Sequence, residues 1–206
     1  MRLVLFLFGE KMGPDEVNDV KVAYDALSKT YEEKYVEGGL DNDYMLDEWY
    51  AGEHFVATGI TGRIVSLGVG SGQDIEILGH PHHEQFVGYD ISKGMLENGR
   101  AKFPKYSLLM HDCTQMIPNE SADVLVSMFG AANYLGADKL IEHYEWLGCR
   151  SAFFVFYNED YVDDIYTGYH VYDQERLMIA FSRFGAQVVP LFDGSNYYVV
   201  WWNEGR

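Results

Sequence analysis

The stretch IVSLGVGSGQD, residues 64–74, decides the fold of this 206-residue chain. Its first four residues are a short apolar run, typical of a strand that is buried on both faces. Glycines at 68, 70 and 72 follow, and they permit backbone angles and close contacts that a Cβ would forbid. The pattern therefore predicts a strand, a glycine turn and a helix start, which bring backbone N–H groups to a ligand at the edge of a parallel sheet.

A second strand signal, FVGYD at residues 86–90, ends in an acid 22 residues after Gly68. A carboxylate at that distance can accept hydrogen bonds from both ribose hydroxyls of a nucleoside. The glycines are spaced G-x-G-x-G, whereas a dinucleotide-binding turn is spaced G-x-G-x-x-G, and Gln73 stands where its third glycine belongs. The two segments together favour a ligand with a nucleoside and disfavour a dinucleotide.

These two segments, with SLLMHDC at 107–113 and ADVLVSMFG at 122–130, resemble the motifs of class I S-adenosylmethionine (SAM)-dependent methyltransferases. The resemblance extends over about residues 17–202. It implies an α/β, Rossmann-like class I methyltransferase fold, with a seven-stranded, mostly parallel sheet, a reversed terminal strand, helices on both faces and an N-terminal helical cover. It also implies SAM as the cofactor and methyl transfer as the activity.

The same resemblance assigns cofactor contacts to residues in each motif and in the first helix. They are Tyr24, Tyr31, Gly68, Val69, Gly70, Gly72, Asp74, Asp90, Ile91, Met95, Asp112, Cys113, Ser127 and Met128. It implies that Asp90 binds the ribose and that Asp112 and Cys113 line the adenine, although Asp112 could instead cap the next turn. The family usually has an acid at the position of Ser66, so a SAM-binding module without turnover stays open.

Two helices are predicted before the glycine turn. Apolar residues recur at helical spacing from Val17 to Tyr35, and a second helix is predicted from about Asp43 to Ala57, with Met45, Leu46, Trp49 and Val56 facing inward. We therefore divide the chain into a tail and helical cover, residues 1–60, and a SAM-binding α/β core, residues 61–206, within one domain overall.

Residues 158–172 alternate acids with tyrosines and show little apolar periodicity. A loop of this length in a compact domain is usually functional, so we predict a lid-like insertion over the acceptor. The alternative is a solvated surface loop. A predicted hairpin, residues 188–192 and 197–202, then closes the chain, as the reversed terminal strand requires.

The acceptor site is predicted beside the fourth strand. Displacement at the methyl of a sulfonium needs the acceptor held at reacting distance and angle, with water excluded. Asn133, Tyr134 and Tyr157 are the candidate orienting residues, and each could instead serve only packing or a loop hydrogen bond. The loop after the fourth strand lacks the Asn/Asp-Pro-Pro-Tyr-type sequence of nucleic-acid amino-methylating enzymes, which with the acidic surface favours a small molecule. The tyrosines and acids of the predicted lid, residues 158–172, favour an amine or another cation as the acceptor. The alternative is another reaction on the same fold, such as aminopropyl transfer.

Composition and short motifs bear on the partners, the cellular location and the metal content of the protein. The formal net charge is −17, from 32 acids and 15 bases, and such a field argues against a nucleic-acid partner, although it could serve solubility alone. Two cysteines form no disulfide framework, so a cytoplasmic location is expected. Apolar residues 3–8 are too short to span a membrane, and the histidines at 80, 82 and 83 suit a turn better than a metal site. The oligomeric state is not predicted.

Overall fold

The computed structural model describes residues 14–31, 43–118, 121–158 and 169–204. Its strands form one seven-stranded sheet in the order β3-β2-β1-β4-β5-β7-β6. Their bounds are β1 Ile64–Leu67, β2 Phe86–Asp90, β3 Ser107–Met110, β4 Val124–Met128, β5 Ser151–Tyr157, β6 Gln187–Pro190 and β7 Tyr197–Asn203. Strand β7 runs antiparallel to both of its neighbours, and the pairs from β3 to β5 are parallel. The predicted class I sheet with a reversed terminal strand is confirmed.

Helices cover both faces of this sheet. They are α1 Pro14–Leu27, α2 Asp43–Thr58, α3 Gln73–Ile77, α4 Lys93–Lys102, α5 Gly130–Leu147 and α6 Gln174–Ala180, with short 3-10 turns at His83–Gln85 and Ser182–Phe184. No helix in the ranges given above is long and apolar enough to cross a membrane.

Alternation along β5 divides the apolar interior between the two faces. Phe153 and Val155 pack on one side with residues of α2, α3 and α4, and Phe154 and Phe156 pack on the other with α5 and α6. A strand with both faces apolar cannot lie at the solvent, so the run at residues 151–157 requires a layer of helices on each side.

The buried face of α2 differs from the prediction. Met45, Leu46, Trp49 and Val56, which were predicted to face inward, are between 41% and 71% exposed. The inward stripe is instead Asp47, Ala51 and Phe55, at helical spacing of four. The helix turns this way because Gly52 packs closely against α3, where a Cβ would lie 2.9 Å from the carbonyl oxygen of Ile77.

Helix α1 is held over the sheet edge by Asp25. One carboxylate oxygen accepts hydrogen bonds from the Ser92 hydroxyl at 2.7 Å and the Gly94 N–H at 3.0 Å, at the start of α4. The other oxygen pairs with Lys21 at 2.9 Å. Because α1 is anchored at this residue, its apolar side faces the carboxyl ends of the strands, as the predicted helical cover requires.

The packing of β5 leads to a stability prediction. Phe154 is fully buried, and its ring lies 5.7 Å from that of Phe181 and 5.6 Å from that of Trp202. Phe154→Ala leaves a cavity, so the free energy of unfolding is expected to fall by about 3–5 kcal/mol. Met178→Ala, at a side chain 55% exposed, is expected to change it by less than about 0.5 kcal/mol. Urea unfolding measures both, and equal effects would contradict the packing.

Candidate active site

A cavity of about 250 Å³ opens at the carboxyl ends of the parallel strands, between the sheet, α1 and α2. Of the apolar stripe predicted from Val17 to Tyr35, the part on α1, from Val17 to Leu27, lines this cavity, and so does Tyr31 beyond the end of the helix. Ligands of open α/β sheets bind at this edge, beside the point where the strand order reverses. In this sheet that point lies between β1 and β4.

The glycine turn forms the floor of the cavity. The N–H groups of Gly68 and Val69 donate to the carbonyl oxygen of Tyr89 at 2.7 and 3.0 Å, which ties the turn to β2. Gly68 has φ 80°, and a Cβ there would lie 2.0 Å from the Cβ of Ala131. No other residue fits at position 68, so the turn and the start of α5 are in direct contact.

Asp90 ends β2 beside this turn, as predicted. One oxygen accepts from the Gly70 N–H at 2.9 Å, and the other accepts from the Ser92 N–H at 2.8 Å. Burial raises the pKa of Asp90, and the same two hydrogen bonds act against that rise. The carboxyl group lines the cavity, where its remaining lone pairs can accept from a ligand.

Ser66 and Asp74 form the second buried polar pair of the floor. The Ser66 hydroxyl donates to a carboxylate oxygen of Asp74, which is 5% exposed and lines the cavity. Burial raises the pKa of Asp74 to about 7, the hydrogen bond from Ser66 opposes the rise, and the nearby Asp90 adds to it. A carboxyl group from α3 thus stands against the strand residue where the motif usually has its own acid.

The loop after β3 lines one end of the cavity. Asp112 accepts from the N–H of Thr114 at 2.9 Å and from its hydroxyl at 2.7 Å, so one of its oxygens caps a local turn. Burial raises the pKa of the Cys113 thiol and keeps it neutral. His143 of α5 contacts the Cys113 carbonyl through Nε2 at 2.8 Å, and the Trp146 indole donates to the Ile117 carbonyl at 3.0 Å.

The opposite end of the cavity is aromatic. The ring of Tyr134 lies 6.2 Å from that of Tyr24, edge to face, and 4.4 Å from that of Tyr169. Helix α5 already begins at Gly130, so Tyr134 projects from a helix and not from the predicted loop. Phe129 connects β4 to this helix at φ 54°, a strained angle for a residue with a side chain, and also lines the cavity.

Asp47 and Glu48 of α2 also line the cavity wall, and the sequence reasoning missed both. The signal was present, because Asp47 stands four residues before Ala51 and eight before Phe55 on one helix face. Among the lining residues that the structure describes there is no lysine or arginine. The wall is therefore acidic and aromatic.

The structure brings most of the predicted site residues to this one cavity. Those that line it are Tyr24, Tyr31, Gly68, Val69, Gly70, Asp74, Asp90, Ile91, Met95, Asp112, Cys113, Met128, Tyr134 and Tyr157. Of the predicted lid, Asn158 and residues 169–172 are described, and residues 159–168 lie outside the described part of the chain.

Three other predicted residues have structural contacts behind the cavity wall. Gly72 packs on Phe103, 2.6 Å from where a Cβ would lie, and the Ser127 hydroxyl donates to the Leu67 carbonyl at 2.9 Å. The buried Asn133 amide donates to the Tyr157 carbonyl at 3.2 Å and accepts from the Tyr157 N–H at 2.8 Å. Asn133 therefore holds Tyr157 in place from behind.

Comparison with known proteins gives one family match and many similar structures. Residues 64–146 match the model of the family described as Methyltransferase domain. The DhpI–SAH complex is 15% identical, with TM-score 0.71 over 95% of this chain and all of that one. Magnesium protoporphyrin IX methyltransferase (ChlM) from Synechocystis PCC 6803, with bound SAM, is 12% identical, with TM-score 0.63 over 93% and 98%. A search of the curated proteins found no match to this sequence.

A further structure of this fold is a complex of two proteins. It joins the Haloferax volcanii Trm112 methyltransferase activator to a putative methyltransferase, with 17% identity and TM-score 0.65 over 92% of this chain and 98% of that one. The family match over residues 64–146 and the fold of the whole sheet together indicate a SAM-dependent methyltransferase. Its sheet with one reversed strand is that of the class I fold, and the SAH or SAM bound in these similar structures is consistent with SAM as the cofactor.

The buried carboxyl of Asp74 predicts a pH dependence of stability. Between about pH 4 and pH 7 the folded ligand-free protein keeps a proton on Asp74 that the unfolded chain has released. Unfolding then releases that proton, so the free energy of unfolding falls as the pH rises through this window. Asp74→Asn removes this titrating group. The slope of the free energy of unfolding against pH is then expected to be less steep by up to about 1.4 kcal/mol per pH unit.

Urea unfolding from pH 4 to pH 8 measures the effect of Asp74. Asp193→Asn, at an exposed position in the turn between β6 and β7, is the matched control and is expected to keep the wild-type slope. Wild-type and Asp74→Asn curves of the same slope would show that Asp74 is already ionised in the folded protein.

Proposed function

We propose that this methyltransferase acts on a small molecule, an amine or another cationic acceptor. The observation that carries the proposal is the composition of the cavity lining, which combines tyrosines with Asp47 and Glu48, while no lysine or arginine is among the described lining residues. Tyrosine faces attract cations by about 0.5–2 kcal/mol each, and carboxylates in a confined site strengthen that attraction. A phosphate or carboxylate acceptor would meet charge repulsion there.

The end of the cavity formed by the glycine turn, Asp90 and the loop after β3 fits the cofactor. Gly68, Val69 and Gly70 of the turn line this cavity, so the backbone of the turn can meet a ligand directly. Asp90 offers a carboxylate for two ribose hydroxyls, and Asp112 with the Cys113 N–H lies where the adenine would bind. Met95, which is buried on the same side, supplies apolar surface. We assign the cofactor contacts to these residues.

The cofactor supplies a methyl group already activated by a positive sulfur, so little chemistry falls to side chains. An ammonium acceptor must lose one proton before its nitrogen lone pair can bond to carbon. Asp47, Glu48 and the tyrosine hydroxyls are the groups on this wall that can take or relay that proton. The main task of the wall is to hold the nitrogen in line and to exclude water.

The alternatives from the sequence make different predictions. A module without turnover was suggested by Ser66, but the Asp74 carboxyl bonded to Ser66 supplies an acid at this place and weakens that argument. Another reaction on the same fold would not form S-adenosylhomocysteine, so detection of that product separates it from methyl transfer. We also propose a cytoplasmic location, supported by the two buried cysteines, which are both free thiols.

Asp90 provides a test of the cofactor assignment. Asp90→Ala removes the ribose partner and one anchor of the turn, so the affinity for SAM is expected to fall about 30- to 100-fold, or about 2–3 kcal/mol. Titration calorimetry measures it. Glu84→Ala, at an exposed position just before β2, is the control and is expected to bind like the wild type. Unchanged affinity of Asp90→Ala would place the ribose elsewhere.

The acceptor class is tested by a panel of small amines, carboxylates and phenols, with S-adenosylhomocysteine formation as the readout. Amines are expected to be the preferred acceptors. Asp47→Asn keeps the shape of the side chain and removes its charge, so the KM for the preferred amine is expected to rise about tenfold or more, with little change in SAM affinity.

The control for Asp47→Asn lies on the same helix. Glu53→Gln removes an equal charge on the exposed side of α2 and is expected to leave the KM unchanged. A preference for carboxylate acceptors, or equal effects of the two substitutions, would overturn the proposed acceptor class.

A further inference from the structure

Helix α5 is broken at Gly136, six residues after it begins beside the acceptor end of the cavity. Gly136 has φ 72° and ψ 165°, which no α-helical residue adopts. In an unbroken helix the N–H of Ala137 would donate to the carbonyl of Asn133. Here the Ala137 N–H donates to the Tyr172 hydroxyl at 2.8 Å, and the Asn133 carbonyl accepts from the His170 N–H at 2.9 Å.

The two groups freed by the break are thus both bonded to one short piece of chain, residues 169–172, which we name the stitch. The side-chain amide of Asn133 adds a third bond, to the His170 carbonyl at 2.8 Å. The His170 ring fills the space beside Gly136, where a Cβ would lie 2.8 Å from it. The break therefore needs glycine for its angles and for its space.

The stitch ends at the acceptor wall. The Tyr169 ring packs 4.4 Å from that of Tyr134 and 5.6 Å from that of Tyr157, both of which line the cavity. Its hydroxyl lies 2.8 Å from where a Cβ of Gly130 would stand, and Gly130 also lines the cavity. At the other end of the stitch, the buried Tyr172 packs its ring on Phe156.

We propose that the stitch positions the acceptor wall. In this proposal Tyr169 packs behind the wall, and Tyr172 is the positioning residue that holds the stitch on helix α5. The acceptor would lie against Tyr134 and Gly130, on the surface that Tyr169 supports from behind. The proposal concerns any methyl acceptor of this enzyme, cationic or not. It therefore stands or falls separately from the proposed amine class.

The state of Tyr172 agrees with this role. Burial raises the pKa of its hydroxyl to about 12, so the group stays protonated at physiological pH. A neutral hydroxyl can accept from the Ala137 N–H and still donate its own proton. Burial also lowers the pKa of His170, so the ring packed on Gly136 is neutral.

The test is Tyr172→Phe, which removes one oxygen and keeps the ring. Tyr106→Phe is the matched control, because the Tyr106 hydroxyl also makes one bond to a backbone group, the Pro81 carbonyl at 2.8 Å, away from the cavity. Tyr172→Phe is expected to raise the KM for the acceptor found in the panel about five- to tenfold. Its SAM affinity is expected to stay within about twofold of the wild type.

Two readouts on the protein with bound S-adenosylhomocysteine need no acceptor. Hydrogen exchange at the Ala137 amide is expected to quicken about tenfold or more in Tyr172→Phe and to stay slow in Tyr106→Phe. Nitration of Tyr169 by tetranitromethane, measured by mass spectrometry, is expected to rise only in Tyr172→Phe. Wild-type exchange and nitration in Tyr172→Phe would overturn the proposal.

The kinetic result decides whether the stitch acts on the acceptor. If exchange and nitration change while the acceptor KM and kcat match those of Tyr106→Phe, the stitch is only structural and the positioning role is overturned. If an amine is not the acceptor but the KM for the true acceptor rises in Tyr172→Phe, the proposed acceptor class fails and the positioning role stands.

Discussion

The close approach of Gly68 to Ala131 is the constraint on which the site depends. A Cβ at position 68 would lie 2.0 Å from the Cβ of Ala131, so the end of β1 meets the first turn of α5 with only the Ala131 methyl group between them. Methyl transfer needs its reacting atoms about 3–3.5 Å apart and in line. This contact places the glycine turn beside Phe129 and Gly130, where the proposed acceptor wall begins.

Helix α5 makes contacts that support both ends of the cavity. Its first turns hold the acceptor wall, through Tyr134 and through the bonds of Asn133 to Tyr157. Its last turns support the opposite end, where His143 contacts the Cys113 carbonyl and Trp146 donates to the Ile117 carbonyl. The break at Gly136 separates these two halves, so each can follow its own end of the cavity.

Sequence reasoning succeeded where the relevant residues are neighbours in the chain. The strand, the glycine turn and Asp90 follow from local patterns, and the structure has each of them at the expected place. It failed where the same sequence pattern allows two arrangements and tertiary packing determines which one forms. The face of α2 was predicted wrongly because the helix has apolar residues on both sides, and the contact of Gly52 with α3 shows that the side with Ala51 and Phe55 packs. The bond from Ser66 to Asp74 depends on how the turn folds back, which spacing alone does not give.

The burial of three acids in one cavity links the structure to its chemistry. Asp47, Asp74 and Asp90 are 6%, 5% and 9% exposed, and all three line one cavity. Burial of a carboxylate costs free energy unless a partner compensates for it. These three are the only buried acids among the residues that the structure describes, and the other described acids lie where that cost is smaller. Acids retained inside suit a site whose ligands bring positive charge: SAM through its sulfonium and ammonium groups and, in the function proposed above, the acceptor through its own.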